Sequence, residues 1–179
     1  KIKVPSLHFA MELPGGWVEQ EGKRQRESLA KRVAKGDPSF VNNKKMSLVL
    51  ATLTKKAGDL RNPRLDVIVH LYGDIGKRDL LRVAKDRTEK AIKADGDRVG
   101  NLEIADPVEV SLGGKAVAMT AVTAKARNSK SDAWVDVEVQ SYIAVFDEHF
   151  IEVLAIRPAE ESEVVIADMK KAIESIRFD

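Results

Sequence analysis

The back half of the chain constrains its fold most: four extended segments follow one another through connections too short for anything but antiparallel neighbours. Glu103–Leu112 runs into Gly113-Gly114, whose glycines admit the positive φ of a tight hairpin, and Lys115–Arg127 returns from it. The loop Asn128–Asp132 leads to a long strand over Ala133–Phe146, and Asp147-Glu148-His149 turns the chain into Phe150–Arg157. Along the long strand Val135, Val137, Val139, Ile143 and Val145 share one face, and Trp134, Asp136, Glu138, Gln140 and Tyr142 share the other. That period of two belongs to a sheet, so the segments form a meander.

The front half adds helices and further strands. Leu7–Leu13 alternates weakly and stops at Pro14-Gly15-Gly16, after which Trp17-Val18-Glu19 resumes an extended run, which makes a hairpin or a sharp corner. Residues 21–44 read either as a short helix over Glu27–Ala34 or as a basic loop. Met46–Thr54 is apolar on both faces, as in a buried strand, and Lys55–Arg64 is a loop. Leu65, Val67, Val69 and Leu71 then line one strand face, leaving Asp66, Ile68, His70 and Tyr72 on the other. Asp79 caps a helix whose stripe is Leu80, Leu81, Ala84, Thr88, Ala91 and Ile92, and Gly96 stops it. A closing helix after Pro158 carries Val165, Ile166, Met169, Ala172, Ile173 and Ile176 on one side. The expected architecture is α+β: a twisted, mainly antiparallel sheet flanked by helices, in one domain over 1–179, with a basic loop inserted around 21–45.

With 179 residues the chain can close a core without staples, and it has no cysteine. Disulfide scaffolds, thiolate metal sites and cysteine nucleophiles are therefore excluded. Thirty basic and 28 acidic side chains nearly cancel, yet residues 23–64 hold twelve Lys/Arg against three acids, a net +9, and residues 65–179 sum to −6. Such a dipolar chain can attract an anionic partner at one end. No apolar run approaches the ~20 residues of a membrane-spanning helix. The sequence opens on Lys1, which leaves room for a leader or tag ahead of it.

Three stretches carry a family resemblance: Phe9-Ala-Met-Glu-Leu-Pro-Gly-Gly-Trp17, the turn Val110-Ser-Leu-Gly-Gly-Lys-Ala116, and Met169-Lys-Lys-Ala-Ile-Glu-Ser-Ile-Arg-Phe178. With the order of elements, they resemble the family that unites the photosystem II extrinsic protein PsbP with the Ran guanine-nucleotide release factor. Its bacterial members include DcrB-like lipoproteins and chaperones of type VI secretion effectors. The resemblance implies an α/β/α sandwich and a binding or accessory role, and it transfers no catalytic residue.

Each candidate site has a plainer explanation beside it. Gly73-Asp-Ile-Gly76-Lys77 falls between a strand and a helix, but Leu71 and Arg78 break the phosphate-loop pattern, so a capped turn suffices. His8, His70 and His149 lack ligand spacing, and no metal site or cofactor is expected. Asp136 and Glu138 could act as paired acids only if one were desolvated; a hydrated sheet face is the plainer account. Neither G-x-S-x-G nor S-x-x-K occurs, so no catalytic residue is assigned and no enzyme is expected. Trp134, Asp136, Glu138 and Tyr142, with His70 and Tyr72 on an outward face elsewhere in the sheet, are the candidate binding residues, because aromatics among polar groups anchor ligands. Lys23, Arg24, Arg26, Lys31 and Arg32 are candidate contacts for an anionic surface or partner. With only Phe40 among the bases, nucleic acid is not expected.

The expected function is a non-enzymatic binding or accessory protein that contacts a protein partner as a monomer or homodimer. By resemblance it is a processed, extracytoplasmic bacterial protein, periplasmic or membrane-tethered as a lipoprotein. The alternatives are a cytoplasmic chaperone or adaptor of a secreted effector, and a small-molecule or metal carrier.

Overall fold

A computed structural model describes residues 1–34, 46–55, 63–71, 79–127, 132–147 and 149–178. The expected meander is its framework. Strands β8 (Lys115–Arg127), β9 (Trp134–Val145) and β10 (His149–Pro158) pair antiparallel, with Ala118 opposite Ile143 and Phe150 opposite Val145. Strand β10 then pairs with β5 (Arg64–Leu71), β5 with β4 (Met46–Thr54) and β4 with β3 (Val18–Glu21), all antiparallel. At the other edge β8 receives β6 (Val99–Ile104) and β7 (Val108–Leu112), giving the order β3-β4-β5-β10-β9-β8-β6 with β7 also on β8.

One expectation about strands is corrected. The segment read as one strand over Glu103–Leu112 is broken between β6 and β7, where Ala105 N–H still donates to Ala121 at 2.9 Å. Pro107 has no N–H to give a ladder, so the chain leaves the sheet there. Of the hairpin and the corner that Pro14-Gly15-Gly16 allowed, the structure has the corner, and the strands before it lie in a different sheet from the one after it. Strands β1 (Ile2–Val4) and β2 (Phe9–Met11), linked by a 3₁₀ turn over Pro5–Leu7, pair with β11 (Arg177–Phe178) in a separate three-stranded sheet ordered β1-β2-β11.

The described residues include three α-helices: α1 (Lys23–Ala34), α2 (Leu80–Asp95) and α3 (Glu163–Glu174). The basic loop expected around 21–45 is thus a helix over 23–34, while 35–45 lie outside the described residues. Leu29 anchors α1 in the core, and Arg26 donates to Glu19 and to the Leu50 carbonyl. Asp79 caps α2 as expected, its Oδ1 accepting the Arg82 N–H at 2.9 Å.

The sheet separates two cores. On one face Leu65, Val67, Val69 and Leu71 of β5 and Ile151 and Val153 of β10 meet Phe9 and Met11, Leu29, and Val165, Met169 and Ile173 of α3. On the other, Val83 and Ala84 of α2 close over Ala118, Ile143 and Phe150. Alternation along each strand produces this division, because successive side chains point to opposite faces. The architecture is the expected α+β sandwich. Among the described residues no helix is long and apolar enough to cross a membrane.

Candidate functional site

Even-numbered side chains of β9 point toward α3, and a groove of about 340 Å³ runs between them. Its walls combine Leu112, Met119, Ile166 and Ile173 with a polar set of Glu138, Gln140, Arg157, Lys170 and Glu174. Tyr142 lies in this groove, half-buried, and its hydroxyl donates to Gln140 Oε1 at 2.9 Å. Burial pushes the Tyr142 phenol up, and the Glu174 carboxylate adds to the effect. Farther along the same strand face Trp134 is 48% exposed. Its ring would stand 3.5 Å from a Cβ placed at Gly100, so it rests against β6 and leaves much of its surface to solvent.

Four of the sequence candidates, Trp134, Asp136, Glu138 and Tyr142, therefore share one face. They do not form a catalytic pair. Glu138 is ion-paired with Arg157, and exposed Asp136 has Lys125 at 3.8 Å. Each carboxylate thus has a cation of its own.

His70 is on the opposite face, which corrects the expected outward placement: it is 2% exposed. Strand alternation put it beneath α2, stacked on Phe150 with ring centroids 4.3 Å apart. Its Nε2 donates to Glu152 Oε2 at 2.9 Å, and its Nδ1 shares a 2.7 Å hydrogen bond with Ser47 Oγ. Glu152 also accepts from Arg87 Nε at 2.9 Å and from Ser141 Oγ at 3.1 Å. Burial pushes the Glu152 carboxyl up, but the His70 hydrogen bond and the Arg87 guanidinium outweigh it and hold the group below its ordinary value. The order Ser47–His70–Glu152 looks like a nucleophile relay, yet three donors saturate the carboxylate. That is how a buried charge is satisfied structurally.

Sequence reading missed Glu152, Arg87, Ser141 and Ser47 because they come from four elements. One signal was present: Glu152 is the lone charge inside the apolar run Phe150–Ile156. Tyr72, the Gly73–Lys77 turn and Glu148 lie outside the described residues.

The three histidines do not converge. His149 stacks on Phe146 at 4.6 Å on the α3 side of the sheet, and His8 approaches it closely enough to act on its charge. Burial, then His8 and Lys115, lowers His149 to about 4. Among the described residues no three His, Asp or Glu side chains gather as a metal cluster. Of the basic candidates, Lys23, Arg24 and Lys31 are exposed on α1, whereas Arg26 is committed to Glu19 and Leu50 and Arg32 is half-buried.

No family model matches the sequence, and no curated protein does. Solved structures do. The solution structure of cyanobacterial PsbP (CyanoP) from Synechocystis sp. PCC 6803 aligns with a TM-score of 0.62 at 10% identity, covering 97% of this chain and 88% of that one. LpqN, described as involved in cell envelope biogenesis of Mycobacterium tuberculosis, aligns with a TM-score of 0.51 at 11% identity, covering 94% of this chain and 82% of that one. At such identities the likeness is one of architecture, and the architecture of this chain is the PsbP-like fold, an antiparallel sheet sandwiched by helices.

Proposed function

We propose that the chain is a non-enzymatic accessory protein that works outside the cytoplasm and binds a partner protein along the α3 groove and the Trp134 end of β9. The observation that carries this reading is the groove itself. An apolar floor is rimmed by Glu138, Arg157, Lys170 and Glu174, and continues along one strand face to a tryptophan 48% exposed. Buried anchors with a charged rim are how protein interfaces combine affinity with register. Val164, 68% exposed on α3, extends the apolar surface of that helix. The pairing of each groove acid with its own cation favours binding over catalysis. The compartment rests on LpqN, whose description places it in cell envelope biogenesis. A cytoplasmic effector chaperone would use the same groove in another compartment.

The test is site-directed photocrosslinking in the source cells, with a benzophenone side chain at position 134 and a control at exposed Lys85 on α2. A discrete protein adduct from 134, absent from 85 and recovered from the extracytoplasmic fraction, is expected. Equal labelling from both positions would remove the α3 groove as the docking face. Recovery only from the cytoplasm would overturn the compartment.

A further inference from the structure

The sheet face under α2 holds a second cavity, of about 410 Å³, separate from the groove beneath α3. Strand register explains its floor. Val122, Val139, Ile156 and Arg64 lie side by side across β8, β9, β10 and β5, and Ser141 and Leu154 form the adjacent row. The first half of α2 seals its part of the sheet with Val83 and Ala84. Its second half offers Thr88, Ala91 and Ala94, side chains too short to reach the floor. The floor consequently stays half-buried at Val122, Val139, Leu154 and Ile156, whereas Ile143 under the first half is 1% exposed.

The cavity is polar at one end only. Arg64, Arg87, Ser141 and Glu152 line that end, and the remaining lining is aliphatic save Thr88, with no aromatic ring among the described residues. Its volume falls within the roughly 300–1,000 Å³ of small-molecule sites. Aliphatic walls without a ring to stack on suit a flexible hydrocarbon chain better than a flat heterocycle. The charge at the polar end is asymmetric. Glu152, the one acid among the lining residues, is already saturated by His70, Arg87 and Ser141. Arg87 has committed only Nε of its five N–H donors to Glu152. Arg64, its side chain 40% exposed, has Asp66 2.9 Å from its own Nε. Burial pushes the Asp66 carboxyl up, which weakens it as a rival for that guanidinium.

We propose that this cavity binds a single-chain, monoanionic amphiphile of the long-chain carboxylate class, its hydrocarbon lying between α2 and the sheet and its head meeting Arg64 and Arg87. Planar guanidinium forks match a carboxylate in geometry and charge, while the apolar floor supplies area to be removed from water. The site is distinct from the α3 groove, so it stands or falls independently of the partner-binding reading.

Calorimetric titration of the full chain with dodecanoate, dodecanol and dodecyltrimethylammonium tests it. Dodecanoate is expected to bind, dodecanol about tenfold more weakly, as loss of a charge-assisted hydrogen bond implies, and the cation not at all. Arg64→Gln should lower dodecanoate affinity to that of dodecanol and leave dodecanol unmoved. Ala94→Leu fills the cavity and should abolish binding of both while the thermal melt stays cooperative. If that variant fails to fold, Val139→Phe fills the same space from the floor. Absence of dodecanoate binding, or unchanged binding in a folded cavity-filled variant, overturns the site. Equal affinity for dodecanoate and dodecanol overturns the assignment of an anionic head.

Discussion

Two titratable side chains, on opposite faces of one strand, give the molecule a two-step response to acid. His149 is held at about 4, below its ordinary 6.5, so as pH falls the unfolded chain takes up its proton first. The stability tied to keeping it neutral is therefore lost between about 6.5 and about 4, on the order of 3 kcal/mol for a shift of that size. Glu152 is also held below its ordinary value of 4.5. Its contribution is fully present above about 4.5 and is lost as pH falls through the lowered folded value, so the second step follows the first. Denaturant melts across this range should show both limbs in the wild type. His149→Gln should flatten the limb between 6.5 and 4.5 and keep the lower one; a wild-type curve already flat there would contradict the assignment.

At the scale of elements, the turn between β7 and β8 does more than reverse the chain. Gly113, at φ +56°, brings its backbone so close to the C-terminal segment that a Cβ there would lie 2.7 Å from the Ile176 carbonyl oxygen. Gly114, at φ +80°, faces open space. Gly113→Ala should therefore cost about 1–3 kcal/mol for the forced repacking in addition to backbone strain, and Gly114→Ala the strain of about 1 kcal/mol alone. Equal losses of stability in paired melts would show that the turn does not dock on the chain end. The hairpin itself was legible in the sequence, because alternating strands and a Gly-Gly pair leave few other geometries. The break at Pro107 was equally available as a proline within a strand pattern, but length and alternation outweighed it. Strands as short as Ile2–Val4 and Arg177–Phe178 carry no period to read, so the small sheet they form was invisible. Alternation also placed Trp134, Asp136, Glu138 and Tyr142 on one face correctly. It could not say that α2 would cover the other face, which turned His70 from an expected surface group into a buried one. The Glu152 cluster and the α2 cavity depend on which elements pack together, and no local pattern records that.

For the whole molecule, the sheet acts as a partition with separate chemistry on each side. The α3 side has a charged-rimmed groove open toward Trp134, and the α2 side has an aliphatic cavity ending in guanidinium groups. The small sheet ordered β1-β2-β11 holds the first and last described strands on the α3 side. Phe178 seals it, its ring 6.0 Å from Phe9 and 5.8 Å from Phe146. Phe178→Ala should lower stability by about 2 kcal/mol, somewhat less than truncation of a fully buried Phe. It should also speed proteolytic trimming from both ends of the chain together. Trimming accelerated at one end alone would mean that the small sheet does not act as a unit.

Val4 and Phe178 both pair with Phe9, one on each side of β2, so these two residues stand only two strand spacings apart, about 10 Å, while Ile2 lies farther along, opposite Met11. Strands β1 and β11 both run antiparallel to β2 and hence parallel to each other, so a tag grafted to the front would emerge at the Met11 end of β2 and one grafted to the rear at its Phe9 end. Fastening the molecule to a support by its front or by its rear would therefore turn opposite edges of this small sheet toward the support.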